Sequence, residues 1–280
     1  MHSLETLPPL REVIKQADLR AHKRFGQNFL TDLNLTRKIA RLGGPLNDCI
    51  VIEIGPGPGG LTRALLLEGA QEVHAVEIDQ RCLQVLDEIK QRDQRLHIHQ
   101  EDALNWTFPG ANPVRVVANL PYNIGTLLLT NWLEHIPIAQ HVLSYTLMFQ
   151  KEVAQRITAQ VGQKSYGRLA VLTQLTCFAE TLFDIPPEAF VPAPKVTSTV
   201  VRLTPLSERK TQHLHLVAQI TKLAFGQRRK MLRRSLSSLH PNIEDILNET
   251  GINPAWRAEE IGADLYAKLA ETIISHAQTS

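Results

Sequence analysis

Asn119-Leu-Pro-Tyr122 combines residue types that suit chemistry on an amino group attached to an aromatic ring. The Asn119 side-chain oxygen and the Leu120 carbonyl can both accept hydrogen bonds from an exocyclic amine. Pro121 stiffens the loop, and Tyr122 offers a ring on which a base can stack. A second cluster is Glu53-Ile-Gly-Pro-Gly-Pro-Gly-Gly-Leu-Thr62, in which Gly55, Gly57 and Gly60 satisfy the spacing G-x-G-x-x-G. Glycines there let backbone approach a ligand closely and turn sharply into a helix. Glu77 stands 22 residues after Gly55, where a carboxylate can accept from the vicinal hydroxyls of a ribose. Asp102, in Glu101-Asp102-Ala103, can accept from the amino group of an adenine ring. The glycine loop alone fits either a nicotinamide dinucleotide or S-adenosylmethionine. Asn119–Tyr122 separates the two, since hydride transfer has no use for it and methylation of a nucleobase amine does.

These residues need a sheet edge to hold them. Cys49–Ile54, Glu72–Glu77, Leu96–His99, Val114–Ala118 and His141–Phe149 read as strands, with helical stretches Leu61–Gly69, Arg81–Gln91, Thr126–Leu133 and Lys151–Ala159 between and after them. That alternation predicts a doubly wound α/β fold of Rossmann-like type, with each of these candidate residues at or just past the end of a strand. Arg168–Phe178 reads as a helix, and Glu180–Ile185 and Thr197–Leu203 as further strands. The prolines of Pro186–Pro194 argue against regular structure there. From Ser207 the periodicity is helical, over His213–Phe225, Gln227–Leu239, Ile243–Glu249 and Ala263–His276. The boundary falls near Pro205, giving a ligand-binding domain over 1–205 and a small all-helical domain over 206–280.

With 43% hydrophobic and 21% charged residues, the chain is neither disordered nor fibrous. Three separated cysteines point to a reducing cytoplasm, and no apolar run is long enough for a membrane span. The histidines show no metal-ligand spacing and read as structural, with no metal expected. Net charge is only +2, yet residues 206–240 hold eight Lys/Arg against one acid, and 241–280 hold seven acids against two bases. Such segregation makes a positive face for a polyanion. Arg228, Arg229, Lys230, Arg233 and Arg234 are the densest run; on one helix, Lys230, Arg233 and Arg234 would fall on neighbouring turns and contact phosphates.

Over nearly its whole length the chain resembles the ribosomal RNA small-subunit adenine dimethyltransferases. The resemblance rests on His22–Leu30, Glu53–Thr62, Glu77-Ile-Asp79, Asp102, Asn119–Asn123, Gln150–Glu152, Tyr166–Leu169, Phe190–Ser198 and Phe225–Lys230. It implies an S-adenosylmethionine-dependent enzyme that dimethylates the N6 amine of two adjacent adenines near the 3′ end of 16S ribosomal RNA. The substrate would be the small subunit or its precursor, and the enzyme a cytoplasmic monomer. Asn28 and Leu30 would close over the methionine end of the cofactor, Gly55 lie under it, Glu77 hold its ribose and Asp102 its adenine. Asn119 would lie between cofactor and target base, and Phe190 pack on that base. Two other readings stay open: a nicotinamide oxidoreductase, and a non-catalytic ribosome-assembly factor on a methyltransferase fold.

Overall fold

The computed structural model describes residues 3–22, 25–109, 113–135 and 142–279. Along the chain, α1 (Leu10–Gln16) precedes a two-residue β1 (Phe29–Leu30) and α2 (Leu33–Leu42), whose N-terminus Asp32 caps by accepting from Asn34 N–H. Then β2 (Ile50–Ile54), α3 (Gly60–Leu67), β3 (Glu72–Val76), α4 (Gln80–Arg92), β4 (Leu96–His99), β5 (Val114–Ala118), α5 (Gly125–His135) and β6 (Val142–Gln150) alternate. All five residues of β2 are buried, as a central parallel strand requires. After α6 (Lys151–Thr158) and α7 (Arg168–Thr176) come β7 (Cys177–Ile185), β8 (Phe190–Val191) and β9 (Ser198–Pro205). The remainder is helical: α8 (Leu214–Gly226), α9 (Leu232–Ser235), α10 (Ile243–Thr250) and α11 (Ala263–Thr279).

Seven strands form one sheet in the order β4-β3-β2-β5-β6-β9-β7. The first five are parallel, and β9 runs antiparallel to β6, so the sheet is mixed. β1 and β8 form a separate antiparallel pair, Leu30 opposite Phe190. Thus part of the proline-rich stretch is ordered after all. Prolines flank the two residues of β8 without interrupting them.

The chain divides into two compact units. The first comprises Met1–Leu129, Ala139–Ala154 and Glu180–Pro205; the second comprises Thr130–Ile138, Gln155–Ala179 and Leu206–Ser280. One crossing falls after Pro205, but α7, which the sequence reading put in the first domain, belongs with the C-terminal helices. In the second unit Phe225 lies 6.0 Å from the ring centres of both Tyr166 and Tyr266. The buried Tyr166 and Tyr266 hydroxyls donate to the Ile261 and Ala258 carbonyls. Two of the blocks that carry the family resemblance therefore meet here.

The continuous helix expected over Gln227–Leu239 is absent. Gly226 ends α8, residues 227–230 form a turn closed by Lys230 N–H to the Gln227 carbonyl (2.8 Å), and α9 spans only four residues. Lys230 and Arg233 consequently do not share a helix. His141 of the expected fifth strand, and Lys23 and Arg24 of the N-terminal motif, lie outside the described residues. No described helix is long and apolar enough to cross a membrane.

Candidate active site

Strand order reverses between β2 and β5: β3 and β4 lie to one side of β2, β5 and β6 to the other. Open α/β sheets bind ligands outside the carboxyl ends of the strands at such a point. The two loops leaving those ends are Gly55–Gly60 and Asn119–Tyr122, and both line a cleft with about 1100 Å³ of empty space, its solvent-facing part included. Gly57 sits at φ 55°, and a Cβ there would lie 2.9 Å from the Phe29 ring. At Gly60 a Cβ would lie 2.6 Å from the Leu30 carbonyl oxygen. The glycines thus let Phe29 and Leu30 lie directly on the loop.

Glu77, 5% exposed, projects into the same cleft at the end of β3. Its carboxylate accepts from Gly57 N–H (3.0 Å) and Asp79 N–H (2.8 Å). Burial holds its pKa above the usual range, against the lowering effect of those bonds. Asp79 caps α4 through Arg81 N–H, pairs with the Arg81 guanidinium and accepts from Gln27 Nε2 at 2.9 Å. Gln27 and Asp79, which the residue types alone did not single out as site residues, therefore tie the N-terminal segment to the acid. Glu77→Ala should weaken S-adenosylmethionine binding by about 1–3 kcal/mol, the cost of losing charge-assisted hydrogen bonds to a diol. Unchanged affinity by calorimetry would place the ribose elsewhere.

Glu53 lines the cleft from β2 and is fully buried. Thr62 Oγ1 donates to its carboxylate at 2.6 Å, yet burial, with Glu77 nearby, pushes its pKa up to about 8. The folded chain then holds a proton that the unfolded chain releases, so stability should fall as pH rises from about 4.5 to 8 and level off above. Glu53→Gln cannot titrate. Wild type should lose stability relative to this variant by at most about 1.4 kcal/mol per pH unit across that window. Urea-unfolding curves that keep a constant offset from pH 5 to 8 would show that Glu53 stays ionised.

Asn119 is fixed in orientation. Its Nδ2 donates to the Asn28 carbonyl at 2.8 Å, and because a carbonyl only accepts, the opposite atom must be the oxygen. That Oδ1 is buried and has no hydrogen-bond partner among the described residues. An orphaned acceptor is costly unless something meets it, and this one belongs to a residue of the cleft wall. Leu120 is buried, and Pro121 packs over Gly55. The Tyr122 hydroxyl is hydrogen-bonded to Ser198 Oγ at the start of β9, which anchors the ring at the cleft. Burial raises the Tyr122 pKa, so its hydroxyl is neutral.

Asp102 lines the cleft and uses Oδ1 to accept from Leu104 N–H at 2.9 Å. Ile78, 50% exposed, adds apolar surface beside Glu77. An apolar residue directly after a strand-end acid was the signal that could have marked it. Asn28 and Leu30 line the cleft. Phe190 does not: it is 2% exposed, packs in the hydrophobic core and lies outside the cleft wall. Pairing of β8 with β1 turns it inward, so the ring has no face free for a base. The basic run divides as well. Arg228 donates to Glu259 Oε2 (3.1 Å) and the Lys164 carbonyl (2.9 Å), and Arg233 lies 3.9 Å from Glu244. Arg229, Lys230 and Arg234 are exposed and form no ion pair with any described residue.

Residues 18–275 match the family model described as ribosomal RNA adenine dimethylase. Two curated relatives, each named ribosomal RNA small subunit methyltransferase A, come from Xanthobacter autotrophicus and Paracoccus denitrificans. The first is 53% identical over 97% of this chain and 96% of its own, the second 54% identical over 96% and 97%. Among solved structures, a dimethyladenosine transferase from Plasmodium falciparum superposes with TM-score 0.75 at 25% identity, covering 89% of this chain and 98% of that one. The 23S rRNA methyltransferase ErmE does so with TM-score 0.67 at 27% identity, covering 88% and 100%. With the cleft, its acids and its orphaned amide oxygen in place, the chain belongs to the ribosomal RNA adenine dimethylase family.

Proposed function

We propose that this enzyme transfers two methyl groups from S-adenosylmethionine to the N6 amine of adenine in 16S ribosomal RNA, on two adjacent nucleotides near its 3′ end, within the small subunit or its precursor. The buried Oδ1 of the cleft residue Asn119, unpartnered among the described residues, carries this reading. Bound S-adenosylmethionine supplies a methyl carbon made electrophilic by its sulfonium. Glu77 accepts from the ribose hydroxyls, Asp102 from the adenine amine, and Ile78 covers apolar ring surface. Gly55 underlies the ligand, and Asn28 and Leu30 close over its methionine end.

The N6 lone pair of the target adenine is delocalised into the ring and is a poor nucleophile. Accepting from its N–H groups, through Asn119 Oδ1 and the Leu120 carbonyl, draws the nitrogen toward tetrahedral geometry and localises that pair. Tyr122 holds the base for in-line attack, a proximity effect. The base must leave its stack to enter, and the departing proton passes to water. The enzyme acts as a monomer in the cytoplasm. Methyl transfer from labelled cofactor to undermethylated small subunits, followed by nucleoside analysis, tests the reading. N6,N6-dimethyladenosine is expected; subunit binding without labelled product would favour a non-catalytic assembly factor.

A further inference from the structure

We propose that Glu72, His74 and His97, with His99 behind them, form a binding site for one divalent transition-metal ion of the zinc class. The site stands apart from the cofactor cleft, whose wall includes none of the four residues.

Strand register creates it. β3 and β4 pair in parallel with His74 opposite His97 and Val76 opposite His99. Side chains alternate along a strand, so Glu72 and His74 on β3 and His97 and His99 on β4 project from one face of the sheet. Glu72 Oε2 lies 3.3 Å from His74 Nε2 and 3.8 Å from His97 Nε2, and one ligand atom from each of the three residues falls within 4.8 Å of the others. Tetrahedral zinc, with bonds of about 2.0–2.2 Å, holds its ligand atoms roughly 3.3–3.6 Å apart. Small side-chain rotations therefore bring these three to bonding distance.

The surroundings fit as well. His74 Nδ1 lies 3.0 Å from His99 Nε2. With Nδ1–H donated to His99, the His74 Nε2 lone pair is left for a metal, the arrangement that metal-bound histidines usually adopt. The His74 and His99 rings are stacked 5.1 Å apart, and His99 in turn meets Trp106 at 5.7 Å. These contacts fix the inner histidine. The Glu72 and His97 side chains, 43% and 45% exposed, leave an entry path, whereas His74 is 14% exposed. Two imidazoles and one carboxylate favour zinc-like ions over magnesium or calcium, which prefer all-oxygen sites. Bound metal would clamp β4, the edge strand, to β3 and fix the register of the strands that lead into Glu77 and Asp102.

The test uses tag-free full-length protein stripped with a chelator and titrated with Zn²⁺ against a chromophoric competitor. Wild type should bind one equivalent with micromolar or tighter affinity. The double variant E72Q/H97Q, altered at two half-exposed positions, should bind at least tenfold more weakly. H99F, which removes only the outer hydrogen bond, should lose about 10–100-fold. Thermal unfolding without metal checks that both variants fold, and Zn²⁺ should raise the midpoint of wild type but not of E72Q/H97Q. Co²⁺ should give the intense visible bands of a tetrahedral site in wild type alone. If wild type takes up no metal, or if E72Q/H97Q binds as tightly, the proposal fails; in the second case the ion sits among others of the chain's 11 histidines.

Discussion

Asn119→Ala is expected to fold, to bind S-adenosylmethionine with at most a modest loss, and to turn over about 10²–10³-fold more slowly. The scale follows from how Oδ1 is held. Its burial without a partner among the described residues means that its desolvation cost is already met in the free enzyme, and the bond from Nδ2 to the Asn28 carbonyl holds the amide in one orientation. An acceptor so prepared gains most when the amine nitrogen becomes tetrahedral and its N–H groups turn toward it. Interactions that strengthen only on the way to the transition state lower kcat, while uniform binding interactions raise KM. Steady-state kinetics on undermethylated subunits, paired with calorimetry of cofactor binding, separate the two. A raised KM with unchanged kcat would make Asn119 a binding residue and leave lone-pair localisation to another group.

What the sequence disclosed of this site was local, and what it concealed was register and burial. Gly55–Gly60 and Asn119–Tyr122 were legible because each follows an apolar strand, and a strand end dictates where its loop must lie. Glu77 and Asp102 were legible for the same reason. The close approach of Phe29 and Leu30 to the glycine loop was not, because it depends on β1 pairing with β8 across more than 150 residues of chain. That pairing also buries Phe190, which the family resemblance had implied would pack on the target base. The histidines show the same limit. His74, His97 and His99 have no ligand spacing in one dimension, and only the parallel register of β3 and β4 brings them together. In the basic run, Gly226 ends α8 and the helical pattern of apolar residues continues through what is in fact a turn.

Reversing Arg229, Lys230 and Arg234 to Glu should collapse affinity for the ribosomal particle while leaving S-adenosylmethionine affinity unchanged. Of the five basic residues in the run, these three are exposed and carry no ion pair with a described residue, so their charge is uncommitted within the folded chain. Arg228 is a poor choice for the same experiment. Its guanidinium joins Glu259 and the Lys164 carbonyl, and a glutamate there would face Glu259 and weaken the second unit whether or not RNA is touched. Each lost phosphate contact removes counterion release worth about 0.7–0.9 in the slope of log affinity against log salt, so the triple variant should flatten that slope by about two to three. Cofactor affinity is the internal control, since every residue of the cleft wall belongs to the first unit and all three substitutions to the second. The competing account is a solvated surface whose charges matter only locally, where such changes cost roughly 0–1 kcal/mol. Particle binding at several salt concentrations decides between them. Equal slopes and similar affinities for wild type and variant would mean that this turn does not touch RNA, and the positive face would have to lie elsewhere in the chain.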